Sequence, residues 1–301
     1  MIASRPIPSR FLDVAQMRPP NLDYPYFAAA GIRPFEASAT EYSPVNATWL
    51  ADAALLAYAN PAFARAACKA AGLTWAGVFA GVSTTACIAH GEGFAIAAFR
   101  GTEVTGPLAF GRDLANNLRL KLGPGRTHEG GPGAGRVHAG FVNALDEVWA
   151  GISGALLDHK SAGRQLWLTG HSLGGALATL ATARLGRIAG LYTYASPRVG
   201  DAEFAASLAY INTARFVHAN DLVPRMPPRR LGYEHAGPRR FIALDGSIRP
   251  AEEPPILDET TNFEALFAGA VEAVRLQVFD HAPVLYATHL WNDLATTLQR
   301  D

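Results

Sequence analysis

Residues 164–185 read RQLWLTGHSLGGALATLATARL and contain three kinds of local pattern in succession. The first is a short apolar run that favours a β-strand, and the last is rich in alanine and leucine and favours an α-helix. Between them, residues 170–174 match the pattern G-x-S-x-G. A sharp strand-to-helix turn requires small residues on both sides of the serine and leaves its hydroxyl exposed at the apex. The stretch therefore predicts Ser172 as a nucleophile, with the backbone N–H of Leu173 placed to stabilise an oxyanion.

The surrounding sequence supplies the context that this turn needs. From about residue 164 onward, predicted strands alternate with predicted helices, which indicates an α/β fold with a mainly parallel sheet. Upstream, short apolar runs between Trp75 and Phe99 predict two or three strands with a hairpin. Residues 141–160 have the spacing of an amphipathic helix. We therefore expect residues 1–301 to form a single α/β domain.

Three segments lack this regular patterning. Residues 1–43 contain many prolines and predict an extended arm that packs on the domain. Residues 103–135 are rich in glycine and proline and predict a flexible loop or lid, because long loops in compact domains are usually functional. Residues 250–279 resemble an insertion that could cover the site from another side.

A serine hydroxyl is a poor nucleophile alone, so the chain must supply a base and an acid. In folds with this turn the acid follows the serine in the chain, and the histidine follows the acid. Asp221 lies in ARFVHANDLVPRMP, directly after a predicted strand, and is the preferred acid. Asp201 and Asp245 remain alternatives, although the first has the position of a helix N-cap and the second that of a hairpin turn.

Three histidines follow Asp221 in the chain. His281 lies between two predicted helices, where a loop can direct its ring at the edge of the sheet. His289 falls inside a helical pattern, and His235 is close to the acid in sequence without being excluded. We prefer His281 as the base.

Composition argues against several classes of function. Lys plus Arg and Asp plus Glu both number 26, and a formal net charge of zero disfavours nucleic acid as the main partner. Cys68 and Cys87 form no zinc motif; they could pair once, and Cys87 lies in an apolar run that indicates a buried thiol. Prolines interrupt any signal-peptide core near the N-terminus, and no apolar run is long enough for a membrane span. We expect a soluble protein, either cytoplasmic or secreted by another route or with its signal removed.

Several short motifs, in one order, resemble those of the class 3 lipases, the fungal-type triacylglycerol lipases of the α/β-hydrolase fold. They are FRGT (99–102), VHAGF (137–141), GHSLGGALA (170–178), SPRVGD (196–201), NDLVPRMPP (220–228) and YEHAG (233–237). The resemblance covers about residues 43–298. It implies a serine ester hydrolase that acts on acylglycerols or related lipid esters, with a lipid–water interface as a place of reaction, and without a metal or cofactor.

The resemblance also implies roles for individual residues. The triad would be Ser172, Asp221 and His281, the last within a DH…Y pattern that continues to Tyr286. Thr102 would join the Leu173 backbone as an oxyanion donor.

Further positions are implied around this centre. His171 and Asp113 would have supporting roles, and Leu108 and Phe110 are candidate lid or substrate contacts. EVTGPLAFGRDL, where the family has a helical lid, is less helical here. Phospholipase A1, feruloyl esterase and acyltransferase activities remain alternatives within the same fold, and a non-catalytic lipid-binding homologue is the alternative from another class.

Overall fold

An eight-stranded sheet, parallel at its centre and antiparallel at both edges, organises the chain in a computed structural model. The structure describes residues 3–8, 17–102, 122–126, 132–252 and 279–300. In sheet order the strands are β1 (Thr74–Ala80), β2 (Thr85–Gly91), β3 (Phe94–Phe99), β6 (Gln165–His171), β7 (Gly190–Tyr194), β8 (Asn212–His218), β9 (Arg239–Ile242) and β10 (Ile248–Ala251). Strands β3, β6, β7, β8 and β9 pair in parallel, so their carboxyl ends meet at one edge.

Helices cover both faces of this sheet. They are α1 (Pro44–Leu56), α2 (Pro61–Ala70), α3 (Ala139–Ser161), α4 (Leu173–Leu185), α5 (Ala202–Ala206) and α6 (Pro283–Arg300). One apolar core contains Leu50 of α1, Leu290 of α6 and Phe35 of the N-terminal segment. The other contains Leu145 of α3 and Leu177 of α4. The alternation of helices and strands and the mainly parallel sheet agree with the sequence prediction.

Local chemistry explains where the first helix begins. The hydroxyl of Ser43 accepts a hydrogen bond from the Asn46 N–H at 3.0 Å, which satisfies one of the free amides at the helix start. Pro44 occupies the first turn, where its missing N–H costs nothing.

Two segments differ from the expectation of irregular structure. Residues 122–126 (β4) and 132–138 (β5) form an antiparallel pair, so the predicted loop segment 103–135 contains strand residues at 122–126 and 132–135. A residue outside the pair also hydrogen-bonds to it, since the Asp201 N–H donates to the carbonyl of Arg136 in β5 at 2.9 Å. The N-terminal segment is not extended throughout, because Ala28–Gly31 is a 3-10 helix.

Both cysteines are buried free thiols, and burial raises the pKa of Cys68 and of Cys87 to about 12. The pairing that the sequence left open is therefore not formed, and neither thiol ionises near neutral pH. Among the described residues, no helix combines the length and apolar character that crossing a bilayer requires.

Candidate active site

Ser172 lies at the sharp turn between β6 and α4, at the carboxyl edge of the sheet. Its backbone has φ 58° and ψ −130°, a conformation that a residue with a side chain adopts only under constraint. A Cβ atom on Gly170 would collide with the carbonyl of Gly174, and one on Gly174 would collide with the carbonyl of Phe99. The two flanking glycines are therefore a steric requirement of this turn.

Three side chains form one hydrogen-bonded series at this edge. His281 lies in the turn before α6, and its Nε2 is 2.9 Å from the Oγ of Ser172. Its Nδ1 is 3.0 Å from each carboxylate oxygen of Asp221. Ser172 is 9% exposed, His281 5% and Asp221 0%, so the series is shielded from water and its electrostatic interactions are strengthened. Such an arrangement can pass a proton from the hydroxyl to the imidazole.

The carboxylate of Asp221 is held by two further donors. The N–H of Val223 donates to it at 3.0 Å, and the hydroxyl of Tyr286 donates at 2.6 Å. The same hydroxyl accepts a hydrogen bond from the His218 N–H at 3.0 Å. Burial, and then the charge of Asp221, raises the pKa of Tyr286 well above its ordinary value. Tyr286 therefore stays protonated and acts as a donor to Asp221.

His171 fixes the backbone of His281 rather than its ring. Its Nε2 lies 2.7 Å from the carbonyl oxygen of His281, and its Nδ1 lies 3.0 Å from the hydroxyl of Tyr58. A carbonyl only accepts, so Nε2 carries the proton and Nδ1 accepts from Tyr58. Burial, and then the charge of His281, lowers the pKa of His171 well below its ordinary value. This neutral ring anchors the turn that carries His281.

The alternative histidines lie elsewhere. The ring of His289 packs on that of His218 with centroids 4.9 Å apart, and its Nδ1 is buried without a hydrogen-bond partner. The Nε2 of His235 lies 2.7 Å from the carbonyl of Pro224. Of the three candidate bases, the structure brings His281 to Ser172.

The alternative acids have the local roles that their sequence context indicates. Asp201 caps α5, where it accepts a hydrogen bond from the Phe204 N–H at 3.0 Å. Asp245 lies in the turn between β9 and β10 and accepts from the N–H of Ser247 at 3.0 Å. Of the three candidate acids, Asp221 is the one in contact with His281.

The segments that carry the predicted oxyanion residues pass next to the nucleophile. A Cβ atom on Gly101 would be 3.2 Å from the Cβ of Ser172 and 2.6 Å from the carbonyl oxygen of His171. Thr102 follows directly and is half-buried, while Leu173 is the first residue of α4. Gly101 and Leu173 thus flank Ser172 on the two sides, and Thr102 is the next residue after Gly101. The predicted contacts Leu108, Phe110 and Asp113 lie outside the described residues, as do residues 253–278 of the predicted insertion.

No local sequence pattern predicts the contact of Tyr58 with His171, because the two residues are 113 positions apart. The DH…Y pattern includes Asp280 but does not predict its partner, the Asn220 N–H, which donates to the Oδ2 of this buried carboxylate at 3.0 Å. That bond joins the two loops that carry Asp221 and His281. Contacts of this kind depend on the tertiary fold, and no local spacing encodes them.

Known proteins share this arrangement of the chain. Residues 96–231 match the model of the family described as lipase (class 3). A secreted mono- and diacylglycerol lipase 1 from Fusarium solani is 45% identical over 117 residues, which are 36% of this chain and 34% of that protein. A lipase from Rhizomucor miehei is 37% identical over 119 residues, 36% of this chain and 33% of that protein.

The fold also matches a solved structure. The Rhizomucor miehei lipase propeptide complex superposes with a TM-score of 0.52 and 27% identity, covering 62% of this chain and 63% of that one. The chain spans about a third of the length of the two curated relatives.

Proposed function

We propose that this chain, which matches the class 3 lipase family model over residues 96–231 and has the α/β-hydrolase fold, is a member of that family and a serine carboxylic-ester hydrolase. The observation that supports the proposal is the series from the Asp221 carboxylate through both nitrogens of His281 to the Ser172 hydroxyl. A nucleophile in contact with a base that a third group orients is the signature of covalent acyl transfer.

In this proposal His281 removes the proton from Ser172 as the hydroxyl attacks the ester carbonyl. Asp221 stabilises the imidazolium that forms, without being protonated itself. The N–H of Leu173 and the donors of Thr102 stabilise the oxyanion, each contributing about 2–4 kcal/mol to the transition state. His281 then protonates the leaving alcohol, and water hydrolyses the acyl-enzyme along the reverse proton path.

We propose acylglycerols or related lipid esters as the substrate class. The support is the relative from Fusarium solani, which is named a mono- and diacylglycerol lipase and is 45% identical over its matched segment. Such substrates are amphiphilic, and the reaction would then take place on ester presented at a lipid–water interface. Phospholipids and feruloyl esters are the competing substrates in the test.

Hydrolysis of p-nitrophenyl esters and monoacylglycerols by the full chain tests the proposal. We expect Ser172→Ala to lower kcat/KM by at least about a thousandfold, because the covalent route is lost. His281→Ala should be similarly inactive, whereas His289→Ala should retain kcat, because its ring contacts His218 and not Ser172. Equal activity of wild type and Ser172→Ala would refute the assignment of the nucleophile.

A series of acyl chain lengths, measured below and above substrate solubility, separates the substrate classes. Preference for long-chain glycerides with a rise in rate above solubility supports a lipase. A preference for short soluble esters, feruloyl esters or phospholipids would contradict the assignment to acylglycerols and leave ester hydrolysis intact.

A further inference from the structure

A cavity of about 570 Å³ lies far from Ser172, where the parallel strands of the sheet begin. Ser172 lies where they end. Its lining includes Gln165 and Asn212, which are the first residues of β6 and β8. Ser172 follows the last residue of β6, and a strand of that length places it about 20 Å away. The cavity is therefore separate from the candidate active site, and its size is in the range of small-molecule sites.

The outer wall of the cavity is held in place by side chains from the sheet. The indole Nε1 of Trp167, which is fully buried, donates to the carbonyl of Ala37 at 3.1 Å. The side-chain amide of Asn212 donates to the carbonyls of Ala39 at 3.2 Å and Glu41 at 2.8 Å. These bonds fasten the N-terminal segment across the strand starts, so the cavity is built before any ligand arrives.

Positive charge dominates the polar part of the lining. Lys160, Arg164 and Arg187 all contribute to it, and none of the described residues that line the cavity is acidic. The ammonium of Lys160 is positioned by the Arg187 carbonyl, which accepts from it at 3.0 Å. Arg164 lies 3.5 Å from the imidazole of His159, whose pKa is lowered by burial and then by neighbouring positive charge. Three cations with no carboxylate in the same lining favour an anionic ligand.

The rest of the lining is apolar. Leu166 is 2% exposed and Ile188 is 9% exposed, and both face the cavity with Ala189. Tyr210 adds an aromatic ring that is 62% exposed. Leu166 and Ile188 are therefore already covered, and the apolar surface that an acyl chain could cover, and a bare inorganic anion would leave in water, belongs mainly to Tyr210. Guanidinium groups match the geometry of a carboxylate and bind it in bidentate fashion.

We propose that this cavity binds a small amphiphilic carboxylate, with its charge at Arg164 and Arg187 and its acyl chain against Tyr210 and Ala189. Binding there needs no hydrolysis at Ser172, because the two sites lie at opposite edges of the sheet. Free fatty acids, which the proposed reaction would release, belong to this chemical class. The cavity would then hold a product at a second site.

Calorimetric titration of the full chain with octanoate, below its micelle concentration, tests the proposal. We expect saturable binding that weakens at least about tenfold in the double variant Arg164→Gln/Arg187→Gln, because two charge-assisted hydrogen bonds are lost. Arg249→Gln, an exposed arginine of β10 outside the cavity, should bind octanoate like wild type. Thermal melting of the double variant checks that it is folded.

Two further probes separate the contributions of charge and chain. 1-Octanol, which lacks the charge, and inorganic phosphate, which lacks the chain, should each bind at least about tenfold more weakly than octanoate. Unchanged octanoate affinity in the double variant, or phosphate binding equal to that of octanoate, would overturn the proposal. Absence of ester hydrolysis in the wild type would contradict the proposed function alone and leave the calorimetric result as it stands.

Discussion

Tyr286→Phe removes one oxygen atom from the deepest part of the candidate active site. That oxygen donates to Asp221 at 2.6 Å and accepts from the His218 N–H at 3.0 Å. Asp221 keeps the N–H of Val223 and the Nδ1 of His281 as donors. The substitution therefore leaves the acid in contact with the base but removes one of the bonds that hold it in place.

The expected magnitude follows from these two bonds. A hydrogen bond to a charged group contributes about 1.5–3 kcal/mol, and a buried amide left without an acceptor costs about 1–3 kcal/mol. Because one hydroxyl makes both bonds, the two costs overlap, and we expect the free energy of unfolding to fall by about 2–5 kcal/mol. A less fixed Asp221 orients His281 less well, so we expect kcat to fall about tenfold with KM unchanged.

Denaturant unfolding and steady-state ester hydrolysis measure the two effects on the same variant. Tyr192→Phe is the matched control, since that buried hydroxyl also accepts one bond, from the Ser43 N–H at 2.9 Å, and donates one, to Asn212 at 3.3 Å. The control should lose stability and keep kcat. A Tyr286→Phe enzyme with wild-type kcat would refute the positioning role, and equal loss of kcat in both variants would show a general effect of lost stability.

Two other predictions test the turn that carries Ser172 and the buried histidine His289. Gly174→Ala should abolish hydrolysis, because its methyl group would lie 2.7 Å from the Phe99 carbonyl carbon, while Gly154→Ala, with open space around it, should keep full activity in the same assay. Burial, and then His218, lowers the pKa of His289 to about 4. An unfolded histidine titrates near pH 6.5, whereas the folded state keeps the His289 ring neutral down to a lower pH. Burying the neutral ring therefore costs no protonation free energy above pH 6.5, and the folded state loses stability as the pH falls from 6.5 towards 4. Between pH 7 and pH 4.5 the free energy of unfolding, measured with denaturant, should therefore fall by about 2.5 kcal/mol less in His289→Gln than in the wild type. An equal fall in both proteins would contradict the view that buried His289 contributes to acid destabilisation.

The features that the sequence predicted well have their partners close by in the chain. Asp201 caps α5 through an amide only three residues away. The strained turn at Ser172 needs only the two glycines around it and a preceding strand. Asp221 and His281 were reached through chain order and resemblance, since nothing local to either residue shows that they meet 60 positions apart.

Features that depend on distant segments were not predictable in the same way. The paired strands 122–126 and 132–138 overlap the segment predicted to be a loop, because glycines and prolines disfavour strands when read locally. The second of these strands is instead held in an extended conformation by a β-bridge between Val137 and Gly200. The cationic cavity likewise needs the N-terminal segment to reach Trp167 and Asn212, more than 120 positions away. Each of these depends on packing that forms only in the folded chain.

The two histidines nearest Ser172 show how environment, and not residue type, divides their roles. Their ring centroids are 4.6 Å apart and both rings are buried. His281 has a carboxylate on one nitrogen, so a proton taken up on the other creates an ion pair within the site. His171 has only the neutral hydroxyl of Tyr58 and a carbonyl, so its protonation would place an uncompensated charge in a buried site, and its pKa is lowered accordingly. Since its single N–H is already committed to the His281 carbonyl, His171 is suited to fixing the position of the base and not to replacing it.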